Sequence, residues 1–212
     1  MNSNSIDTNN PKMRIMNAAE KVFVDKGYDG ARVEEIAKEA AINKSQLFYY
    51  YGSKENILKE LVKKHIDEAV DIIHKTFDRN TLNSKQAFEQ LIDHLAYFFE
   101  KKESILKIVF IEMLKGSSND FSLFELFSPL FESISMKTQG MGREIADREK
   151  SIIEFFYFDI MPIALFVTSR NKFSEFYSIA FDRLSEKFFE IYRQTQTKYF
   201  ERMQKSNKDE SM

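Results

Sequence analysis

Residues 27–55 read GYDGARVEEIAKEAAINKSQLFYYYGSKE. Within them Val33, Ile36, Ala37 and Ala40 recur at the spacing of one helix face, and Ile42-Asn43-Lys44-Ser45 follows at once. Residues 45–51 then form a segment of about two turns, closed by Gly52-Ser53, where Ser53 can cap another helix. The order is helix, short turn, short helix. Asn43, Lys44, Ser45 and Gln46 stand at the start of the second helix, and amide, amine and hydroxyl groups there suit base edges in a major groove that admits one helix. No acidic residue occurs from 40 through 54, which predicts a local basic patch. Helical hairpins that never meet DNA share this spacing, so the pattern alone leaves both readings open.

Upstream, Ile15, Ala18, Ala19, Val22 and Phe23 mark one face of a helix that Gly27 should end, before the turn Tyr28-Asp29-Gly30. Downstream, Ile57, Leu58, Leu61, Val62, Ile66, Ala69, Val70, Ile73 and Phe77 form one stripe with no Gly or Pro between 54 and 78. That predicts a long helix and no linker between the halves. Further helices are expected around Phe88 to Phe99, over 104–114 before Gly116, and after a cap at Asp120, the last bent or split by Pro129. After the loop Gly140-Met141-Gly142, a helix to about Thr168 is apolar almost all round over 155–167, which implies burial on every side. A final helix over about 174–203 repeats Phe176, Ala180, Leu184, Phe188 and Ile191. No strand pattern or repeat interrupts this series. The fold class is therefore all-α, with an arm over 1–11, a helix-turn-helix domain over 12–54, a ligand-binding and dimerisation bundle over 55–203, and a polar tail over 204–212.

Composition narrows the function. The 212 residues are 43% hydrophobic and 30% charged, with a net charge of −2, so DNA would have to be held by a local patch rather than by the whole-molecule field. The absence of cysteine excludes disulfides and thiolate nucleophiles and fits a reducing compartment. The first ten residues lack the apolar core of a secretory leader. The apolar run 155–167 is interrupted by Asp159 and Pro162 and is too short to span a bilayer. A cytoplasmic protein with no membrane partner is expected. Twenty-one Phe and no Trp predict an aromatic interior, either a plain core or a lined apolar cavity.

The stretch 27–55 resembles the DNA-binding signature of TetR-family transcriptional regulators, and the resemblance extends from about Ile15 to Leu61. Its specific part is the aromatic run after Leu47, followed by a small residue, Lys54 and Glu55. Three positions depart from the pattern. Ala31 and Arg32 stand where the family has Thr or Ser, Ser45 stands near its usual Gly, and Phe48 replaces a Tyr. The resemblance implies a homodimer on double-stranded palindromic operator DNA, with recognition helices about 34 Å apart. Repression relieved by a small effector is the family's habit. Carried over by position, Asn43, Lys44, Ser45 and Gln46 face bases, while Tyr49, Tyr50 and Lys54 contact phosphate, with Arg32 and Val33 at the start of the preceding helix. Leu47 and Tyr51 are read as core.

For the effector, the candidate pocket residues are Phe77, His94, Phe98, Phe110, Met113, Phe124, Phe127, Phe155 and Asp159, and the molecule expected is mostly apolar with one polar or cationic end. Asp159 has three readings: partner of a cationic ligand, partner of Arg or Lys across a dimer, or a solvated edge. His65, His74 and His94 lack metal-site spacing, although Asp67, Asp71 and His74 share a helix face. No catalytic triad order, phosphate loop or cofactor motif is present, so neither an enzyme nor a cofactor is expected. The rival reading is a helical apolar-ligand carrier or interaction protein without DNA binding.

Overall fold

Helix α1, Pro11–Gly30, starts at Asn10, whose Oδ1 accepts the Lys12 N–H at 2.9 Å, and Pro11 in the first turn withholds no bonded N–H. This computed structural model describes residues 10–77, 84–115, 123–139 and 147–209. The sites expected at Gly116, Asp120 and Gly140-Met141-Gly142, and most of the arm 1–11, lie outside those residues. At Gly27 the backbone leaves helical geometry (φ 71°, ψ 169°), where the sequence places the stop. Short helices α2, Val33–Glu39, and α3, Lys44–Tyr51, follow, and then the unbroken α4, Lys54–Phe77. The later helices are α5, Ser84–Lys101; α6, Glu103–Lys115; α7, Leu123–Gln139; α8, Arg148–Ile153; α9, Met161–Tyr177; and α10, Phe181–Asp209. A π-helical segment, Glu154–Ile160, joins α8 to α9. The fold is all-α, with no strand among the described residues.

The chain divides into two compact units. The first takes in residues 10–65 with the described part of 107–126. Its core is the set of faces read from periodicity: Ile15, Phe23, Ile36, Leu47, Ile57, Leu58 and Leu61 are fully buried. Each such side chain stabilises by about 1.5–3 kcal/mol on leaving water. Within this unit the Lys115 amine bonds to Asp29 and Glu112, tying the end of α6 to the turn after Gly27.

The second unit takes in residues 66–106 and 127–209, where α5, α9 and α10 pack on one another. Aromatic rings dominate its interior: Phe88 stacks on Phe200 at 4.4 Å and Phe166 on Phe188 at 3.8 Å between centroids. Arg170 is buried, its guanidinium held by Glu100 and Glu103 and lying 4.6 Å from the Phe181 ring centroid. Two paired carboxylates offset the cost of burying that charge.

Several sequence expectations are corrected. Residues 168–173 are not an interhelical loop: α9 continues to Tyr177, because Arg170 on its inner face is neutralised by packing. The break comes at Ser178, in left-handed geometry (φ 54°), and α10 begins at Phe181 and runs through the expected tail to Asp209. Pro129 does not split α7, which runs unbroken through it; Pro129 lies on the exposed face, while Phe127, Leu130 and Phe131 are buried. Residues 155–167 are not buried on every side, since Tyr157, Phe158 and Leu165 are exposed. The apolar run is also longer than read. Arg148–Tyr177 is one helix long and apolar enough to cross a bilayer by length and composition, with a third of its most apolar window buried inside the protein.

Candidate nucleic-acid interface

Helix α3 owes its start to a reciprocal pair: Asn43 Oδ1 accepts the Gln46 N–H at 2.7 Å, and Gln46 Oε1 accepts the Asn43 N–H at 3.2 Å. Each bond uses the oxygen of an amide side chain and leaves its nitrogen for other partners. The turn before it passes through Ala41 at φ 51°, a strained value for a residue with a Cβ, and the Arg14 guanidinium donates to the Ala41 carbonyl at 3.0 Å. Gly52, at φ 73°, ends α3, and its N–H closes on the Phe48 carbonyl at 2.8 Å. Leu47 is fully buried and anchors the helix, while Tyr51 is half-buried and donates to the Lys12 carbonyl.

This framework leaves Asn43, Lys44, Ser45 and Gln46 exposed together, with Tyr49 84% exposed beside them and its ring 5.3 Å from Tyr50. Arg32 precedes α2 with its backbone N–H on Glu35 Oε2; its side chain is exposed, and Val33, the first residue of α2, is half-buried. Lys54 is placed differently. Its amine donates to the carbonyls of Tyr28 at 2.7 Å and Ala31 at 3.1 Å, and lies 4.4 Å from the Tyr28 ring centroid. Burial, then the charge of Glu55, pushes the Tyr28 hydroxyl up to about 12, and burial, then Glu60, does the same for Tyr51.

Helix α2 changes the electrostatics read from the sequence. Glu34 meets the Lys44 amine at 2.6 Å, Glu35 meets Lys26 and Glu39 meets Lys21. Hydrogen bonds from Lys44 and Lys26 hold the Glu34 and Glu35 carboxyls below the usual range. The acid-free run 40–54 is therefore not an unneutralised patch, because folding returns a carboxylate to its central lysine.

In the second unit, a cavity of about 320 Å³ opens between α4 and α5, lined by Ile72, Lys75, Thr76, His94 and Tyr97. His94 Nδ1 sits 2.9 Å from Thr76 Oγ1, which also bonds the Ile72 carbonyl. Asp159 lines a narrow cleft of about 40 Å³ with Ile160, Ile163, Tyr192 and Gln196. The other candidates are not gathered with them. Phe127 and Phe155 are buried against Phe156 and Phe131, Phe98 packs on Phe99, and Phe77 is half-buried at the end of α4. Phe110 and Met113 are half-buried and Phe124 is exposed, all three in the first unit. Sequence reasoning missed Lys75, Thr76 and Tyr97, whose only signal was their place on polar helix faces. Among the described residues, no three His, Asp or Glu side chains gather as a metal would need.

A short exposed helix, entered by a tight turn and carrying amide, hydroxyl and amine groups at its start, has the form of a helix-turn-helix. Residues 15–61 match the family described as bacterial regulatory proteins, tetR family. It is 27% identical over 97 residues to the transcriptional activator FasR of Mycolicibacterium smegmatis, covering 46% of this chain and 44% of FasR. It is 26% identical over 135 residues to IcaR of Staphylococcus aureus, a negative regulator of the biofilm operon icaADBC, covering 64% of this chain and 67% of IcaR. The chain thus spans under half of one of these relatives and about two thirds of the other. Its fold is shared with FadR of Bacillus subtilis, solved in complex with stearoyl-CoA, at TM-score 0.61 and 17% identity over 85% of this chain and 96% of FadR.

Proposed function

We propose that the chain is a ligand-responsive transcriptional repressor that binds a palindromic operator as a homodimer and leaves it when a small, mostly apolar effector binds. The exposed start of α3 carries this reading: Asn43, Lys44, Ser45 and Gln46 face bases, with Arg32, Val33, Tyr49 and Tyr50 on the flanking backbone. Repression is favoured over activation because the match to IcaR covers more of both chains than the match to FasR. Such a regulator works in the cytoplasm, and no step of this function calls for an enzymatic residue.

The homodimer is supported by an apolar face that no described residue of the chain covers. Phe158, Leu165, Phe173 and Phe176 are exposed and recur at helical spacing along one side of the helix Arg148–Tyr177. A run of this kind on a monomer is an association site. For the effector, the α4–α5 cavity with His94 is the favoured site, with Phe77 and Phe98 on the same two helices. Its described lining offers Lys75, Thr76 and His94, donors that favour a polar end able to accept hydrogen bonds. The fold of FadR, which was solved with stearoyl-CoA, accommodates an apolar molecule.

The test joins light scattering to DNA binding. A species of twice 25.0 kDa is expected, with retention on duplex DNA that falls steeply as salt rises. A monomer at micromolar concentration would remove the dimer. Retention insensitive to salt would favour the carrier reading.

A further inference from the structure

Three glutamates of α2 each hold a lysine, but only one of those lysines belongs to the helix start that faces DNA. Lys44 is the first residue of α3, and its Nζ lies 2.6 Å from Glu34 Oε1, with the two side chains 53% and 61% exposed. The amine's other close group is the Phe48 ring, 5.7 Å away at its centroid. Nothing about this pair is needed to hold the fold: α2 and α3 are already joined through the buried Ile36, Ala37 and Leu47, and an exposed ion pair adds little stability. The pair sits where the groove would be, and it sets what Lys44 can gain from DNA.

We infer that Glu34 is a specificity-determining residue that keeps Lys44 out of indiscriminate phosphate binding and yields it only to a base edge. This rests on the DNA-binding reading above. The reason is an exchange. When Lys44 leaves Glu34 for a phosphate, one exposed charge pair replaces another, and the released carboxylate is left beside a polyanion, so nothing is gained. When it leaves for the O6 and N7 acceptors of guanine, the same carboxylate is released, but a directed contact worth about five- to 150-fold in discrimination replaces a weak one and outweighs that cost. Glu34 therefore acts as a competitor that a guanine edge can beat and a phosphate cannot, which is specificity obtained by a repulsive element. The neighbouring Asn43 and Gln46 carry no charge and need no such competitor.

The experiment uses the full-length protein and two probes: duplexes that the unmodified protein enriches from a random-sequence pool, and a scrambled duplex of the same composition. Glu34→Gln, which keeps the side-chain shape at an exposed position, should raise affinity for the scrambled duplex by about three- to tenfold and steepen its salt slope by about 0.9 per protomer. Affinity for the enriched duplex should change less than that, so the ratio between the two falls. Lys44→Ala should lower affinity for the enriched duplex alone, and pools re-selected with it should lose a guanine from each half-site. In the Lys44→Ala background, Glu34→Gln should no longer raise affinity for the scrambled duplex. An equal gain on both duplexes, or a gain that survives loss of Lys44, would overturn the inference, because Glu34 would then be only a repelling surface charge. No change on either duplex would also overturn it. If the unmodified protein enriches no sequence and shows no salt slope, the DNA-binding reading itself fails.

Discussion

Lys54 shows how a side chain's role can differ from the one its position suggests. By resemblance it is a phosphate contact, yet an ammonium has three protons to donate, and here one carbonyl of Tyr28 and one of Ala31 take bonds from it. Its location above the Tyr28 ring adds a cation–π contact. The amine thus fastens the start of α4 to the end of α1 and to the residue that follows it, which orients the helices that carry the interface. Lys54→Ala should lower stability by about 1–3 kcal/mol, since it strands partly buried carbonyls. Urea unfolding would show this as a lower midpoint at unchanged slope. The salt slope of DNA binding should keep its parent value wherever both proteins are folded. A flatter slope with unchanged stability would instead make Lys54 a phosphate ligand. Leu47 was legible as core because its spacing is local, whereas Tyr51, read as core too, is only half-buried because its hydroxyl reaches out to the Lys12 carbonyl. The partners of Lys54 were not legible, because they come from a different helix boundary.

At the scale of the element, the π-helical segment has a cause that can be traced to one residue. Pro162 has no N–H, so the carbonyl four residues back, on Phe158, loses its helical donor, and the ring crowds that carbonyl. The helix widens over Glu154–Ile160, and α10 supplies the missing donor: Gln196 Nε2 donates to the Phe158 carbonyl at 2.8 Å, while the Tyr192 hydroxyl donates to the adjacent Asp159 carbonyl at 2.6 Å. Gln196 and Tyr192 are both buried, so neither carbonyl has water as a ready substitute. Gln196→Ala should therefore cost about 1–3 kcal/mol. In a Pro162→Ala background, the restored N–H at 162 can serve Phe158, and the same change should cost less, with a coupling of about 0.5–3 kcal/mol. Chemical denaturation of the four proteins measures this. Equal costs in both backgrounds would mean that Pro162 is not the origin of the widening. The sequence showed Asp159 and Pro162 as interruptions of an apolar run, but a helix that continues past them with help from another helix has no local signature.

For the whole molecule, three of the described helices run unbroken from residues of one unit to residues of the other: α4, which crosses at 65–66, α6, which crosses at 106–107, and α7, which crosses at 126–127. If the effector acts through α4, softening that helix should impair release more than binding. A Gly pair replacing Lys63 and Lys64, both outside the buried set, costs helix propensity of about 1 kcal/mol per residue without touching the cavity at Ile72, Lys75 and Thr76. Effector affinity should stay near the parent value, while the effector concentration needed to free DNA should rise. The two quantities are measured separately, by ligand titration and by DNA release. Release as efficient as the parent's would exclude transmission through this helix.

The sequence by itself determined the helix-turn-helix, the all-α class, the long α4 and the faces that form the first unit's core, because helical periodicity, Gly27, Asn43 and Gly52 act on their own neighbours. It also placed Asn43, Lys44, Ser45 and Gln46 together at one helix start. Only the tertiary structure decided that Glu34 would neutralise Lys44, that the Lys54 amine would face two carbonyls, that Arg170 would lie between Glu100 and Glu103, and that His94 would share a cavity with Lys75 and Thr76. Each of these is a pairing of polar groups distant in the chain, set by how packed helices are rotated against one another. Periodicity fixes which face of a helix turns inward, but not which charge it meets there.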